Sequence, residues 1–316
     1  MRLLVVTARY PTPDRPAAGR FVQERLADPD LRSWVIAPRR YDLPGWLRYA
    51  SLGWRAATAR GRFDGVEGHF VLHSGVVALA AARVRGLPLV IYAHGGDVRE
   101  MAQRNPLNTW LARRVLRGAD AVVTNSAETA GLVRQLGVEA AVIPPGVDLS
   151  RFRPTPRPQA RRVLYLGGAA PYKGLEAARR LADTLVGPGI REVPPDEVPA
   201  LIAAHDVVLV PSLAEGFGLA AAEGIAAGRW VVARAVGGLP DVVSEGVNGF
   251  LARTDDELAD ALRRIPDYDP NAVAGTAARF SLERHRAGMA GIWATVLEAR
   301  RGRTDAKSAG SGSGAT

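Results

Sequence analysis

The sequence contains no cysteine. This excludes a disulfide framework, a thiolate nucleophile and a cysteine-ligated zinc site, and it is typical of a protein from a reducing cytoplasm. No apolar run approaches the roughly 20 residues that a membrane-spanning helix needs. The segment from Met1 to Thr7 is apolar but is followed by charged residues where a signal peptide would have a cleavage site, so we expect a buried strand there.

Lysine is almost absent as well. The chain has 41 basic residues and a net charge of +9, yet its only lysines are Lys173 and Lys307. Basic proteins attract anionic polymers, but these arginines are spread along the chain without a zinc finger, recognition helix or aromatic RNA-binding motif. We therefore expect no nucleic-acid partner.

Short apolar runs rich in β-branched residues alternate with longer amphipathic segments. The predicted strands are Leu3 to Thr7, Trp34 to Ala37, Leu89 to Ala93, Ala121 to Asn125, Val163 to Leu166, Val207 to Val210 and Trp230 to Ala233. Continuously apolar strands are buried on both faces, which predicts parallel sheets covered by helices, an α/β class.

The length of 316 residues and a proline-rich stretch in the middle favour two doubly wound, Rossmann-like domains. The predicted divisions are domains at 1–145 and 161–285, a linker at 146–160, a C-terminal helix at 286–301 and a disordered Gly/Ser/Ala-rich tail at 302–316.

A glycine-containing turn follows the strand Val207 to Val210. The turn, Glu215-Gly216-Phe217-Gly218, leads into an alanine-rich helix whose first amides lack partners within the helix, which makes an anion site. Glu215 and Glu223 flank this site, and because carboxylates repel phosphate we expect them to bind hydroxyls. A site that binds a phosphate between two hydroxyl-rich groups predicts a nucleotide sugar as the ligand.

Two neighbouring segments support this interpretation. Gly237-Gly238 repeats the pattern of a strand that ends in a glycine turn opening a helix. Lys173 follows the first strand of the same domain, and a compact ammonium suits a diphosphate leaving group.

Together, Glu215-Gly216-Phe217-Gly218-Leu219 and Glu223 resemble the E-x7-E signature of family 4 retaining glycosyltransferases, which have the GT-B fold. Nearly the whole chain takes part in the resemblance. Its further landmarks are Tyr10-Pro11, Gly19, His94-Gly95-Gly96-Asp97, Pro144, Gly146-Val147-Asp148, Lys173-Gly174, Gly237-Gly238 and Asn248-Gly249.

The resemblance implies an acceptor-binding first domain and a nucleotide-sugar-binding second domain that face each other across a cleft. It also implies that Glu223 binds the donor ribose, that Lys173 binds the diphosphate and that His94 faces the reacting centre. The candidate catalytic residues are His94, Lys173 and Glu215. The candidate donor-binding residues are Gly19, Gly168, Lys173, Glu215, Gly216, Phe217, Gly218, Leu219 and Glu223.

The remaining polar candidates receive structural roles or none. Asp97 is expected to cap the helix that follows it. His69, His73, His205 and His285 show no partner pattern, and no role is assigned to them. No acidic pair with metal-ligand spacing lies near the phosphate segment, so we expect no metal and no cofactor, with the nucleotide sugar acting as a substrate.

The chain departs from the family at two places. Gly168 occupies the position where the family usually has an arginine, so either Lys173 acts alone or another arginine, such as Arg20, compensates. The stretch from Gly174 to His205 is short, which predicts a trimmed second domain and leaves the nucleobase undetermined.

The acceptor is a hydroxyl compound that the sequence does not identify. The segment from Pro44 to Arg55 mixes aromatic and basic residues, which allows a peripheral contact with the inner face of the membrane and a lipid-linked acceptor. The favoured alternative is a helix that packs its Trp and Leu side chains into the core. Localisation is accordingly expected to be cytoplasmic, with or without that membrane contact.

Other functions share the same fold. A non-catalytic nucleotide-sugar-binding subunit and a GT-B sugar phosphorylase remain alternatives to a transferase. A nucleotide-sugar epimerase is disfavoured, because epimerases lack the E-x7-E arrangement.

Overall fold

The computed structural model describes residues 1–13 and 15–311, which form two compact units. Unit 1 comprises Met1–Thr124, Ala130–Ile143 and the chain from Arg286 onward. Unit 2 comprises Asn125–Thr129 and Pro144–His285.

A six-stranded parallel sheet forms the centre of unit 1, in the order β2-β1-β3-β4-β5-β6. Its strands are β1 Arg2–Thr7, β2 Arg32–Ile36, β3 Gly65–His69, β4 Leu89–Ala93, β5 Ala121–Thr124 and β6 Ala141–Val142. The central strands β1, β3 and β4 are buried almost throughout, as expected for a sheet with helices on both faces.

The helices of unit 1 connect and cover these strands. They are α1 Arg20–Leu26, α2 Gly45–Thr58, α3 Ser74–Arg85, α4 Pro106–Arg117 and α5 Ala127–Gln135, with a π-helical turn at Asp97–Met101; the first three residues of α5 belong to unit 2. Helix α4 begins with an N-cap, because the Asn105 side chain accepts a hydrogen bond from the Asn108 amide. Pro106 occupies the first helical position, where proline is favoured.

Unit 2 contains a five-stranded parallel sheet in the order β11-β10-β9-β7-β8. The strands are β7 Val163–Tyr165, β8 Thr184–Leu185, β9 Val207–Val210, β10 Trp230–Arg234 and β11 Gly249–Ala252. The helices are α6 Leu175–Leu181, α7 Val198–Ala203, α8 Leu219–Ala226, α9 Leu239–Val242, α10 Asp255–Arg263 and α11 Pro270–Gly275, with 3-10 turns at Pro171–Lys173 and Thr276–Phe280. The two-residue β8 fits the predicted trimming of this domain.

The proline-rich stretch at 146–160, predicted as a linker, packs into unit 2. Phe152 is buried in the unit 2 core. The fully buried guanidinium of Arg229 donates to the carbonyl oxygens of Thr155 and Pro156 and to the Thr155 hydroxyl. Backbone carbonyls that satisfy a buried cation are held in place, so this stretch does not act as a free connector.

The C-terminal helix is longer than the predicted 286–301. Helix α12 spans Leu282–Ser311, so residues 302–311 of the predicted disordered tail are helical, and 312–316 lie outside the described residues. Arg300 donates to the Gly86 carbonyl and Arg303 pairs with Asp120. These contacts with the rest of unit 1 stabilise α12 beyond the predicted end at residue 301.

Among the described residues, no helix combines the length and the apolarity that crossing a bilayer requires.

Candidate active site

The predicted anion site lies at the start of α8 in unit 2. Gly218 precedes the helix in the left-handed conformation, with φ of 102°, and a Cβ there would lie 2.5 Å from the Leu239 side chain. The first intrahelical bond runs from the Ala222 amide to the Gly218 carbonyl, so the amides of Leu219 to Ala221 come before the helical ladder. This is the geometry in which helices bind phosphate.

Phe217 can contribute only its backbone to such a site. Its side chain is buried in the unit 2 core, edge-on to Phe280 with ring centroids 5.3 Å apart. The aromatic ring therefore anchors the loop in front of α8.

Lys173 and Glu215, predicted to bind different parts of the donor, contact each other. The Nζ atom of Lys173 donates to Oε2 of Glu215 at 2.7 Å, and the Ser212 hydroxyl lies 3.3 Å from the same oxygen. Both charged groups are largely shielded from solvent, at 25% and 14% exposure. The Glu215 carboxylate thus offsets the positive charge of the Lys173 ammonium, the group predicted to bind the diphosphate.

Tyr165 supports the turn that carries Lys173. Its hydroxyl lies 2.8 Å from the Gly168 carbonyl oxygen and 3.2 Å from that of Lys173, so it donates into this turn. Burial raises the pKa of Tyr165 to about 12, and the Glu215 carboxylate acts in the same direction. The phenol therefore stays protonated and remains a donor.

The backbone explains why glycine stands where the family usually has an arginine. Gly168 has φ of 77°, and a Cβ there would lie 2.9 Å from the Pro188 carbonyl oxygen. An arginine would need a rare conformation and a shifted neighbour. Arg20, the suggested substitute, lies in unit 1, where its guanidinium pairs with Glu24 at 2.9 Å.

Gly237 and Gly238 pack against the loop that contains Glu215. A Cβ at Gly237 would lie 1.7 Å from the Glu215 carbonyl oxygen, and one at Gly238 would lie 2.7 Å from that of Gly216. The helix that follows, α9, has only four residues and does not repeat the anion-site pattern of α8. The glycine pair therefore shapes the loop by allowing close backbone contact.

Glu223 lies one turn into α8 and is partly exposed. Unit 2 thus contains the predicted donor-binding residues from Gly168 to Glu223, on the turns after β7 and β9 and on α8. The other two candidates, Gly19 and His94, belong to unit 1.

Gly19 precedes α1 with φ of 67°, and its Cα lies so near the loop after β1 that a Cβ would be 2.3 Å from the Arg9 carbonyl oxygen. His94 follows β4 and is partly exposed. Its ring lies against Phe21, Phe70 and Tyr92, with centroid distances of 4.8, 4.5 and 4.6 Å.

His69, to which no role was assigned, contacts His94 directly. Nδ1 of His69 lies 3.1 Å from Nε2 of His94, while Nε2 of His69 lies 3.1 Å from Oε1 of Glu67. Glu67 is fully buried, and its other oxygen accepts from Arg25 and from the Trp293 indole, both at 2.8 Å.

Burial alone would raise the pKa of Glu67, but the Arg25 guanidinium and the hydrogen bonds from His69 and Trp293 outweigh it and lower the pKa to about 2. A charged glutamate inside a parallel strand is the signal that could have identified this cluster from the sequence.

The predicted helix cap is not seen at Asp97, which is the first residue of the π-helical turn and follows Gly96 at a cap position without a side-chain hydrogen bond. Its buried carboxylate accepts from the amide of His94 at 2.9 Å and from that of Val71 at 2.7 Å. It therefore joins the loops after β3 and β4. Phe70, in the first of these loops, has φ of 71°, a conformation that costs a non-glycine residue energy and is concentrated at functional sites.

The other histidines have structural partners. His73 stacks on Tyr49 with centroids 4.2 Å apart, His205 contacts the Thr184 hydroxyl at 2.8 Å, and His285 contacts the Pro144 carbonyl at 2.7 Å.

Helix α2 corrects the favoured interpretation of the segment from Pro44 to Arg55. Leu52 is buried in the core as expected, but Trp46 and Trp54 are each 72% exposed. The two indoles are thus available to a partner.

No cluster of three or more His, Asp or Glu side chains suited to a metal ion occurs within residues 1–13 and 15–311. Metal independence stays a prediction.

Two family models match the chain in succession. The model "Glycosyltransferase Family 4" matches residues 2–151, and "Glycosyl transferases group 1" matches residues 149–267.

Named relatives agree with the two models. The D-inositol 3-phosphate glycosyltransferases of Nocardioides sp. and Actinosynnema mirum are each 33% identical to this chain. Their matches cover 72% and 71% of this chain and 66% and 70% of their own length, so the chain spans about two thirds of these relatives.

Solved structures share the fold. HepE from Anabaena in complex with UDP has a TM-score of 0.70 at 21% identity, over 93% of this chain and 100% of that one. Sucrose-phosphate synthase from Thermosynechococcus elongatus has a TM-score of 0.76 at 20% identity, over 94% and 99%. The predicted fold and family are confirmed, and the chain belongs to glycosyltransferase family 4, the GT-B enzymes that transfer sugars from nucleotide-sugar donors.

Proposed function

We propose that this protein transfers a sugar with retention of configuration, without a metal ion, from a nucleoside-diphosphate sugar to a hydroxyl acceptor. The observation that supports this proposal is the arrangement in unit 2, where the Lys173 ammonium contacts Glu215 on the loop that leads into α8, and Glu223 lies one turn into that helix. Amides and a lysine suit a diphosphate, and glutamates suit sugar hydroxyls.

In the proposed reaction, the bond between the anomeric carbon and the diphosphate oxygen breaks while the acceptor oxygen bonds to the same carbon from the same face. The acceptor proton passes to a phosphate oxygen, and the nucleoside diphosphate leaves. The amides of Leu219 to Ala221 and Lys173 would stabilise the charge that develops on the leaving group. Because these groups supply the positive potential, we propose that no divalent ion is required.

Each remaining candidate receives a proposed role. Glu223 would accept from the donor ribose, and Glu215 together with the backbone of Gly216 to Leu219 would bind the transferred sugar and phosphates. Gly19 and Gly168 would let backbone approach the donor closely, and His94 would contact the reacting sugar.

A donor panel tests the proposal. Thermal shifts are measured with UDP-, GDP-, ADP- and TDP-sugars, because a ligand that binds the folded state raises the melting temperature. We expect one nucleotide class to stabilise the protein and Glu223→Ala to abolish that shift. An unchanged shift in Glu223→Ala would overturn the ribose assignment.

Turnover separates a transferase from the alternatives. D-Inositol 3-phosphate is the first acceptor to test, since the relatives are named D-inositol 3-phosphate glycosyltransferases. Release of nucleoside diphosphate that persists in EDTA, with a product of the donor's anomeric configuration, supports the proposal. Tight donor binding without turnover on any acceptor would favour a non-catalytic subunit, and consumption of inorganic phosphate would favour a phosphorylase.

The exposed indoles of α2 support a second proposal, a peripheral contact with anionic membrane. Trp46 and Trp54 are both largely exposed, and Arg48 and Arg55 belong to the same helix. Indoles partition into the lipid interface and arginines are attracted to acidic headgroups. Such a contact would bring the protein to a lipid-linked acceptor.

A further inference from the structure

A line of three side chains leads from the interior of unit 1 to His94. It begins at the buried carboxylate of Glu67, passes through the buried imidazole of His69 and ends at the partly exposed imidazole of His94, with 3.1 Å at both joints. Glu67 and His69 lie two residues apart on β3. Because successive side chains of a strand point to opposite faces, these two point to the same side.

The protonation states along this line follow from the chemistry of each atom. Glu67 is ionised, so Oε1 can only accept, and Nε2 of His69 must carry a proton. When His69 is neutral, its Nδ1 is then an acceptor. Nε2 of His94 must therefore donate to it, which leaves Nδ1 as the unprotonated nitrogen of a neutral His94 ring.

The surroundings of the line keep it in place. Arg25 from α1 and Trp293 from α12 both donate to Glu67, so its carboxylate cannot rotate without losing these bonds. Tyr92 from β4 stacks on both imidazoles, and the Asp97 carboxylate holds the His94 backbone. Arg25, Tyr92 and Asp97 are thus titratable or charged groups that face the line.

We infer that Glu67 and His69 are positioning residues that fix the Nε2–H tautomer of His94 and present its Nδ1 as a hydrogen-bond acceptor to a substrate hydroxyl. The inference rests on the proposed function for the contact between His94 and the sugar. The hydrogen bond at one ring nitrogen of a histidine selects its tautomer, so Glu67 sets the tautomer of His69 and His69 in turn sets that of His94.

The deciding measurement is the tautomer of His94 in the free protein. Protein labelled with ¹⁵N-histidine gives long-range proton–nitrogen correlations that distinguish Nε2–H from Nδ1–H, and His94→Gln assigns the signals. We expect wild-type His94 to be in the Nε2–H form. A wild-type protein with His94 in the Nδ1–H form would overturn the inference without any variant being needed.

Variants then test the route through His69. His69→Leu removes the acceptor, so we expect a mixture of both His94 tautomers. His69→Asn places an amide oxygen near the position of Nδ1 and should retain the Nε2–H form. Trp293→Phe is the matched control, because it removes a donor from the other oxygen of Glu67. His94 in the Nε2–H form in His69→Leu, as in wild type, would contradict the inference.

Kinetics with UDP-glucose as the donor probe distinguish this inference from the proposed function. His69→Leu should lower kcat for UDP release by about 10-fold with little change in KM, as expected for a lost orienting hydrogen bond, and His69→Asn should restore most of it. If His94→Gln releases UDP at the wild-type rate, the proposed contact with substrate is wrong, and the tautomer measurement still decides the role of Glu67 and His69.

Discussion

Lys173 and Glu215 form an ion pair in unit 2, with Nζ of the lysine 2.7 Å from Oε2 of the glutamate. The segments that carry them are held together by backbone contacts as well, since the Leu213 amide donates to the Tyr172 carbonyl at 2.7 Å. A diphosphate bound near Lys173 must compete with this carboxylate for the ammonium. We therefore expect the ion pair to weaken diphosphate binding, while the same Glu215 carboxylate would bind the transferred sugar.

Removing the carboxylate should separate these two effects. We predict that Glu215→Gln binds nucleoside diphosphate roughly 3- to 10-fold more tightly than wild type, because the lysine no longer has a competing anion. Turnover of the intact nucleotide sugar should fall in the same variant. Calorimetric titration of UDP, GDP, ADP and TDP, with turnover assays alongside, measures both quantities. Weaker diphosphate binding in Glu215→Gln would show that the carboxylate does not oppose it.

The close packing at Gly237 gives a second prediction. Gly237→Ala places a methyl group against the Glu215 carbonyl, so we expect unfolding at lower temperature and loss of donor binding. Gly246→Ala is the matched control, because Gly246 also has a positive φ, of 71°, but nothing within 4 Å of the added carbon. The control should cost only about 1 kcal/mol and leave donor binding intact. Equal effects in both variants would show that backbone conformation alone matters.

Glu67 should make the stability of unit 1 dependent on pH. Its pKa is lowered from the usual 4.5 to about 2, so its contribution is fully present above pH 4.5 and is lost as the pH falls towards 2. Glu67→Gln should lose about 3 kcal/mol at neutral pH and lose less further stability across that acid range than wild type.

Denaturant unfolding at a series of pH values measures this difference. Glu139→Gln serves as the control, since Glu139 pairs with Arg134 on an exposed surface, and it should change stability by less than about 0.5 kcal/mol. Parallel acid curves for wild type and Glu67→Gln would mean that the buried carboxylate does not carry the effect.

The exposed face of α2 gives a prediction for membrane binding. Wild-type protein should float with vesicles that contain acidic lipid and stay behind with neutral vesicles. Replacing Trp46 and Trp54 together by serine should abolish flotation and leave the melting temperature unchanged, because both indoles are exposed. Trp34→Ser, which alters an exposed indole on β2, is the control. Absence of wild-type flotation would remove the membrane proposal.

The sequence predicts the strands of both sheets best where they are continuously apolar. β4 and β9 match their predicted ranges. β3 was missed because its sequence, Gly-Val-Glu-Gly-His, lacks an apolar run. Its polar residues are buried through hydrogen bonds to distant segments, and a local pattern cannot show those bonds.

The same distinction applies to the site. The turn and helix around Glu215 and Glu223 are local in sequence, and their geometry at the start of α8 is as predicted. The pairing of Lys173 with Glu215 joins residues 42 positions apart, and the packing of Gly237 depends on a backbone contact. Such relationships arise only in the folded chain, so no local sequence pattern indicates them.

The most direct test of the account is the contribution of Lys173 to binding the diphosphate. Calorimetric titration compares the preferred nucleoside diphosphate with its parent nucleoside in wild type, in Lys173→Ala and in Arg179→Ala, an exposed cation on the following helix. We predict that Lys173→Ala weakens diphosphate binding by roughly 30-fold or more, leaves the nucleoside affinity unchanged, and that Arg179→Ala behaves as wild type. Wild-type diphosphate affinity in Lys173→Ala would contradict the account.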